Sequence, residues 1–146
     1  MSVFTEAAIS YLREHKLGRL ATTNADRQPH MTPLTYVYNH DEDTVDVGGL
    51  NFGASKKRRD VKEYPKVAFL VDEVIGPPRQ ARAVEIRREA EVHETGGDEI
   101  DPRFPNFAPG SIRIRPTRIV SWGVEEAATA ASATASGIDH HARDVG

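Results

Sequence analysis

Apolar and polar positions along this chain follow two rhythms, and the change between them marks out its elements. Phe4, Ala8, Tyr11 and Leu12 recur at the spacing of one helix face. They predict a short amphipathic helix, capped by Ser2 and stopped by Gly18. From Gly18 to Thr23 the pattern reads as a strand, followed by a turn at Asn24-Ala25-Asp26-Arg27. A second strand, rich in Thr and Tyr, runs from Pro29 to Tyr38. Neither Pro29 nor Pro33 can donate to a ladder, so part of this strand must be an edge or carry a bulge.

An acidic turn from Asn39 to Asp43 leads into a strand from Thr44 to Gly48 and a glycine-containing loop, Gly49 to Gly53. A helix of about two and a half turns begins at Ser55 and ends at Tyr64-Pro65, because a residue before proline disfavours the helical region. Lys66 to Val71 is the most apolar run and predicts a central strand. After a loop at Gly76-Pro77-Pro78, a long strand from Arg82 to Val92 places Val84, Ile86, Ala90 and Val92 on one face. The stretch from Gly96 to Gly110 contains Pro102, Pro105 and Pro109 and reads as irregular. Ser111 to Val124 supplies one long bent strand or two, with Pro116 at the bend. About six antiparallel strands with two small helices predict a mainly β barrel rather than a doubly wound sheet. Beyond Glu125 the sequence turns to Ala, Thr and Ser, with few large apolar groups to offset the entropy of ordering. The expectation is a folded domain over 1–125 and a mobile tail over 126–146, with a short helix over 125–131 as an alternative.

Composition narrows the function. A chain of 146 residues suggests one domain, which buries roughly two thirds of its unfolded surface. A cofactor-sized cleft is then easier to build between two copies than inside one. The absence of cysteine excludes disulfides, thiolate nucleophiles and iron–sulfur ligation. Met1 to Glu6 lacks the basic region and apolar core of a secretory signal, and no apolar run approaches the roughly 20 residues of a membrane helix. A cytoplasmic enzyme or binding protein is expected, without a membrane partner. A formal net charge of -3 argues against a dedicated nucleic-acid binder. His40-Asp41-Glu42-Asp43 reads as an acidic turn, and His140 and His141 fall in the expected tail, so no metal site is predicted.

The most informative segment is Gly53-Ala54-Ser55-Lys56-Lys57-Arg58-Arg59-Asp60. First turns of helices favour Asp and Glu because the macrodipole is positive there. Four cations in that place imply a compensating anion. The Ser55 hydroxyl, free N–H groups and Lys56 or Lys57 would together suit a phosphate. A solvated basic face remains the competing reading. Gly49 would let a strand end approach a ligand closely, or would serve a flexible turn.

These pieces in this order resemble the pyridoxamine-phosphate-oxidase-like split barrels, and more closely the branch that uses the deazaflavin coenzyme F420 in place of FMN. The resemblance spans roughly Leu17 to Gly123. It rests on Gly18-Arg19-Leu20-Ala21-Thr22-Thr23, Gln28-Pro29-His30-Met31-Thr32-Pro33-Leu34, Gly53-Ala54-Ser55-Lys56-Lys57, Pro65-Lys66-Val67-Ala68 and Arg115-Pro116-Thr117-Arg118-Ile119-Val120-Ser121-Trp122-Gly123. It implies a homodimeric split β-barrel in which His30, Met31, Thr32 and Pro33 run along the cofactor ring, largely through backbone. It also implies that Ser55, Lys56 and Lys57 hold the phosphate, with Lys57 foremost and Arg59 as a second basic position. Trp122 would belong to a wall of the pocket completed by the other subunit. Arg27 and Arg88 depart from the resemblance, standing where glycine is expected.

The function implied is an F420-dependent oxidoreductase that passes a hydride to an activated double bond of a planar unsaturated molecule. An FMN-dependent oxidoreductase of the same fold and a non-catalytic flavin or deazaflavin carrier are the alternatives. His30 is a candidate proton donor or ring contact as well as an ordinary structural histidine. Tyr36 and Tyr38 could likewise serve substrate or packing. Arg79, Arg82, Arg87 and Arg113 could line a path for an acidic cofactor tail, or pair with Glu85, Glu89 and Glu91.

Overall fold

The computed structural model describes residues 2–49, 56–101, 103, 107, 109–125 and 140–145, with backbone alone at Lys56, Lys57 and His140. Two helices, α1 (Glu6–Glu14) and α2 (Lys56–Glu63), accompany eight strands. The strands are β1 (Leu17–Thr23), β2 (Pro29–Asn39), β3 (Thr44–Val47), β4 (Lys66–Ile75), β5 (Gln80–His93), β6 (Ser111–Ile114), β7 (Arg118–Trp122) and β8 (His140–Asp144). The first six close into an antiparallel barrel in the order β4-β1-β2-β3-β6-β5, with β5 returning to β4. β7 and β8 extend outward from β5.

Alternation fills the barrel. Leu20, Phe69 and Ile86 form one inward row across β1, β4 and β5, and all three are buried. Tyr36 packs edge-on to Phe69 with ring centroids 5.3 Å apart. α1 packs against β2 and β5, and its buried Ala8, Tyr11 and Leu12 meet the core as the apolar stripe predicts. The Tyr11 hydroxyl donates to the Arg82 carbonyl at 3.0 Å, and the Tyr36 hydroxyl to the Leu12 carbonyl at 2.5 Å. α2 packs against β1 and β5 and buries Val61.

Several expectations change. Thr5, not Ser2, caps α1: its hydroxyl accepts from the Ala8 amide at 3.1 Å. Ser2 instead donates to Asp43 at 2.6 Å, where the Val3 amide and the Tyr38 hydroxyl also converge, at 2.8 and 2.6 Å. Burial works to raise the Asp43 pKa, but these hydrogen bonds outweigh it and hold the carboxyl below its ordinary value. Gly18 does not stop α1, which ends at His15 in an extended conformation. It lies inside β1 on the inward side, where a Cβ would fall 2.1 Å from the Phe69 Cζ. The missing side chain makes room for the Phe69 ring.

The proline expectation holds: β3 pairs only with residues 36–39 of β2, so the stretch holding Pro29 and Pro33 is an edge. α2 ends before Tyr64-Pro65, as predicted. Pro116 divides β6 from β7, and the register along β5 slips by one residue across it. The segment expected to be a tail ends in a strand, β8, paired residue by residue with β7. That pairing supplies backbone hydrogen bonds that composition does not reveal. Residues 126–139, including most of the alternative helix over 125–131, lie outside the described residues.

Two substitutions test these local assignments. Gly18→Ala forces the Phe69 ring aside and should lower stability by about 1–3 kcal/mol in urea unfolding. Arg27 holds a left-handed φ of 59° in the β1–β2 turn, so Arg27→Gly should raise stability by about 1 kcal/mol in the same assay.

Candidate functional site

On the outward faces of β1 and β4 two small side chains, Ala21 and Ala68, meet where neighbouring positions carry larger ones. Ala21 pairs with Ala68, and Ala68 with Arg87, in one row across the three strands. This row floors an open groove of about 770 Å³. Thr23 and Pro29 stand at the β1–β2 end, and Lys66, Arg88 and Glu89 at the β4–β5 end. Thr117, after the Pro116 bend, donates through its amide to the Arg87 carbonyl at 3.0 Å and closes one wall.

β2 borders this floor. His30 sits opposite Thr22, Met31 opposite Ala21, Thr32 opposite Leu20 and Pro33 opposite Arg19. Strand residues two apart direct their N–H and C=O groups to the same side. Prolines at 29 and 33 therefore fit only if that parity faces the open edge, which aims the Met31 amide there too. His30 and Thr32 are half-buried, Pro33 is exposed and Met31 is 67% exposed. The structure thus sets the predicted ring-binding strand beside the groove. Of that stretch only the preceding Pro29 lines it.

Part of the helix start falls within the described residues. Ser55 lies outside the described residues, and the Lys56 and Lys57 side chains are likewise not described. The first turn of α2 holds no acidic residue, as the sequence shows. Arg58 is not free for a phosphate, because it donates to Glu94 at 2.5 Å, just past β5. Arg59 is exposed. A Cβ at Gly49 would meet nothing within 4 Å, so no contact among the described residues demands glycine there. Trp122 does not join these residues. It pairs with Ala83 and His140 on β7, four strand spacings from β2 or roughly 19 Å along the sheet.

The arginines divide between the two readings. Arg113 reaches Asp46 at 3.2 Å, Arg82 reaches the Gly123 carbonyl at 3.2 Å, and Arg87 reaches Glu85 at 2.9 and 3.1 Å. Hydrogen bonding to Glu85, and then its charge, raises the Arg87 pKa above its ordinary value. These three are internal ion pairs or carbonyl contacts. Lys66 and Arg88 are among the residues that line the groove, and neither has such a partner among the described residues. Sequence reasoning missed the alanine floor, since Ala21 and Ala68 carry no chemistry and matter only by being small. Among the described residues no group of three metal-ligating side chains converges. No helix among them is long and apolar enough to cross a membrane.

The groove lies within the roughly 300–1,000 Å³ usual for cofactor sites. Its floor is apolar at Ala21 and Ala68, and Lys66 and Glu89 face each other at one end.

Known proteins share this fold. A reductase of 5a,11a-dehydrotetracycline and 5a,11a-dehydrooxytetracycline from Streptomyces rimosus is 42% identical over 123 residues, covering 84% of each chain. Among solved structures, a putative pyridoxamine 5'-phosphate oxidase from Lactobacillus delbrueckii superposes with a TM-score of 0.58 at 22% identity, over 80% of this chain and 92% of that one. An FAD-binding protein from Mycobacterium smegmatis gives 0.55 at 21% identity, over 83% and 96%. The pattern of the pyridoxamine 5'-phosphate oxidase family matches residues 4–134, and with the barrel and the reductase relative it makes this chain a member of that family.

Proposed function

We propose that the chain is an oxidoreductase that passes a hydride from reduced coenzyme F420 to an activated double bond of a planar unsaturated small molecule. The observation that carries this reading is the alanine-floored groove beside the open edge of β2. When bound, the deazaflavin supplies the hydride. The chain supplies position and electrostatics. The Met31 amide at the open edge offers backbone hydrogen bonds to a ring with alternating carbonyl and N–H groups. Ala21 and Ala68 let that ring lie close to the sheet. Ser55, Lys56 and Lys57 hold the phosphate at the start of α2, with Arg59 near them. His30, half-buried on the same strand, is the candidate to deliver a proton to the reduced product. The reductase from Streptomyces rimosus supports this choice, because its named substrates are dehydro compounds.

The proposed working unit is a cytoplasmic homodimer. Leu17 is 53% exposed and Met31 67%, both on the outer face of neighbouring strands, and a second copy would cover them. The same copy would bring a Trp122 to the groove that the chain's own fold keeps distant.

Titration of the purified protein with F420 and with FMN tests the cofactor. F420 should bind at micromolar concentration or tighter, and turnover of cyclic enones should follow with the reduced form. Binding of FMN alone would replace F420 by FMN, and binding without any turnover would make the protein a carrier. Lys57→Ala should weaken cofactor binding about tenfold or more while leaving the unfolding transition in place. Light scattering should report a dimer, and Met31→Glu should shift it to monomer; a wild-type monomer at working concentration contradicts the two-copy site.

A further inference from the structure

The C-terminal strand is anchored to a wall of the groove. β8 is the last strand of the sheet, and among the described residues it pairs on one edge only, over five residues of β7. Residues 141–144 are exposed. Its inner side does not rest on packed core. A cavity of about 400 Å³ lies there, bounded by Thr5 at the start of α1, Ile119 and Ser121 of β7, Glu125, and His141 and Arg143 of β8 itself. A strand over a void forgoes the dispersion contacts that fix a sheet edge.

Besides the ladder, β8 is held by its charged and terminal residues. Asp144 accepts from Arg118 at 2.8 Å, in an exposed ion pair of the kind that contributes little. Arg143 donates to the Val3 carbonyl. Val145 packs its side chain against the core, and its amide donates to the Thr117 carbonyl at 2.7 Å. Thr117 in turn donates through its amide and its hydroxyl to the Arg87 carbonyl, at 3.0 and 3.1 Å. Thr117 and Arg87 both line the groove. Val145, Thr117 and Arg87 thus form one run of backbone hydrogen bonds from the C-terminal strand to the groove floor.

We infer that Val145 is a positioning residue for the groove: through its amide β8 holds the Thr117 wall, and docking of the strand and occupation of the groove favour each other. The inference rests on the groove as the cofactor site and extends its control to the far end of the chain. Linkage makes the effect reciprocal, so whatever β8 adds to ligand affinity the ligand returns to β8. A strand set on packed core would show no such response, whereas one over a cavity has little stability of its own to mask it.

Val145→Pro and Val145→Ala in the full-length protein separate the amide from the side chain. Proline removes the donor, and Asp144 before it already lies in a strand, as a residue before proline prefers. Alanine keeps the donor. In calorimetry with F420 and with FMN, affinity for whichever binds should fall about fivefold in Val145→Pro and stay within about twofold of wild type in Val145→Ala. In hydrogen exchange without ligand, the Thr117 amide should lose protection in Val145→Pro while the Phe69 and Ile86 amides keep theirs. In the wild type, the bound cofactor should slow exchange at the Val145 amide about fivefold. Equal affinity in Val145→Pro and wild type, or an exchange rate at Val145 that the cofactor leaves unchanged, overturns the inference. So does an equal loss in both variants, which would assign the effect to side-chain packing. Should Val145→Pro fail to fold, the wild-type exchange with and without cofactor decides alone. Failure of both cofactors to bind would strike the reductase reading; loss of Thr117 protection in Val145→Pro would then still uphold the β8 contact, and its retention would overturn it.

Discussion

The architecture depends on the length and pairing of one strand. β5 runs fourteen residues and uses both edges. One edge takes β4 along ten residue pairs and closes the barrel. The other takes β6 near its end and β7 nearer its start, with a one-residue slip at Pro116 between them. A shorter β5 would close the barrel without carrying β7 and β8, or carry them on an open sheet. Because it must do both, its sequence changes character midway: Val84 and Ile86 are core, whereas Arg87, Arg88 and Glu89 are the rim of a groove. The chemistry sits where a structural strand leaves the interior.

The groove follows from that frame together with what β1, β2 and β4 omit. Ala21 and Ala68 omit bulk at the point where two outward faces meet. Pro29 and Pro33 omit N–H groups, which makes an edge tolerable within a strand whose second half is fully paired. Gly18 omits a side chain on the inward face and lets Phe69 fill the barrel close to the same strand. The floor, the open edge and the tight core beneath them are thus three consequences of small or donor-less residues at chosen places. The charged residues act on top of this relief rather than creating it.

Much of the barrel was legible because its signals are local. Alternation marks β1, β2, β4 and β5, Pro65 ends α2, and Pro116 separates β6 from β7 by the geometry of a single residue. What was not legible depends on partners distant in sequence. Nothing near Gly18 announces Phe69, so a glycine after a helix reads as a stop. The cap of α1 passed from Ser2 to Thr5 because Asp43, some forty residues away, claims the Ser2 hydroxyl. Arg58, one of the four cations that implied a compensating anion, finds one in Glu94, far away in sequence. β8 has no strong apolar pattern and forms because β7 offers it an edge. His30 to Pro33 stand on the strand beside the groove and Trp122 away from it, while the alanines that make the groove were silent.

The central claim is spatial: a planar cofactor lies on the Ala21–Ala68 floor, along the β2 edge, with its phosphate at the start of α2. A crystal structure of the protein soaked with F420 or FMN tests it most directly. The account predicts the ring within van der Waals contact of both alanines, a backbone hydrogen bond to Met31, and the phosphate on Ser55 and Lys57. A ring bound elsewhere, away from both alanines and from the start of α2, would contradict it.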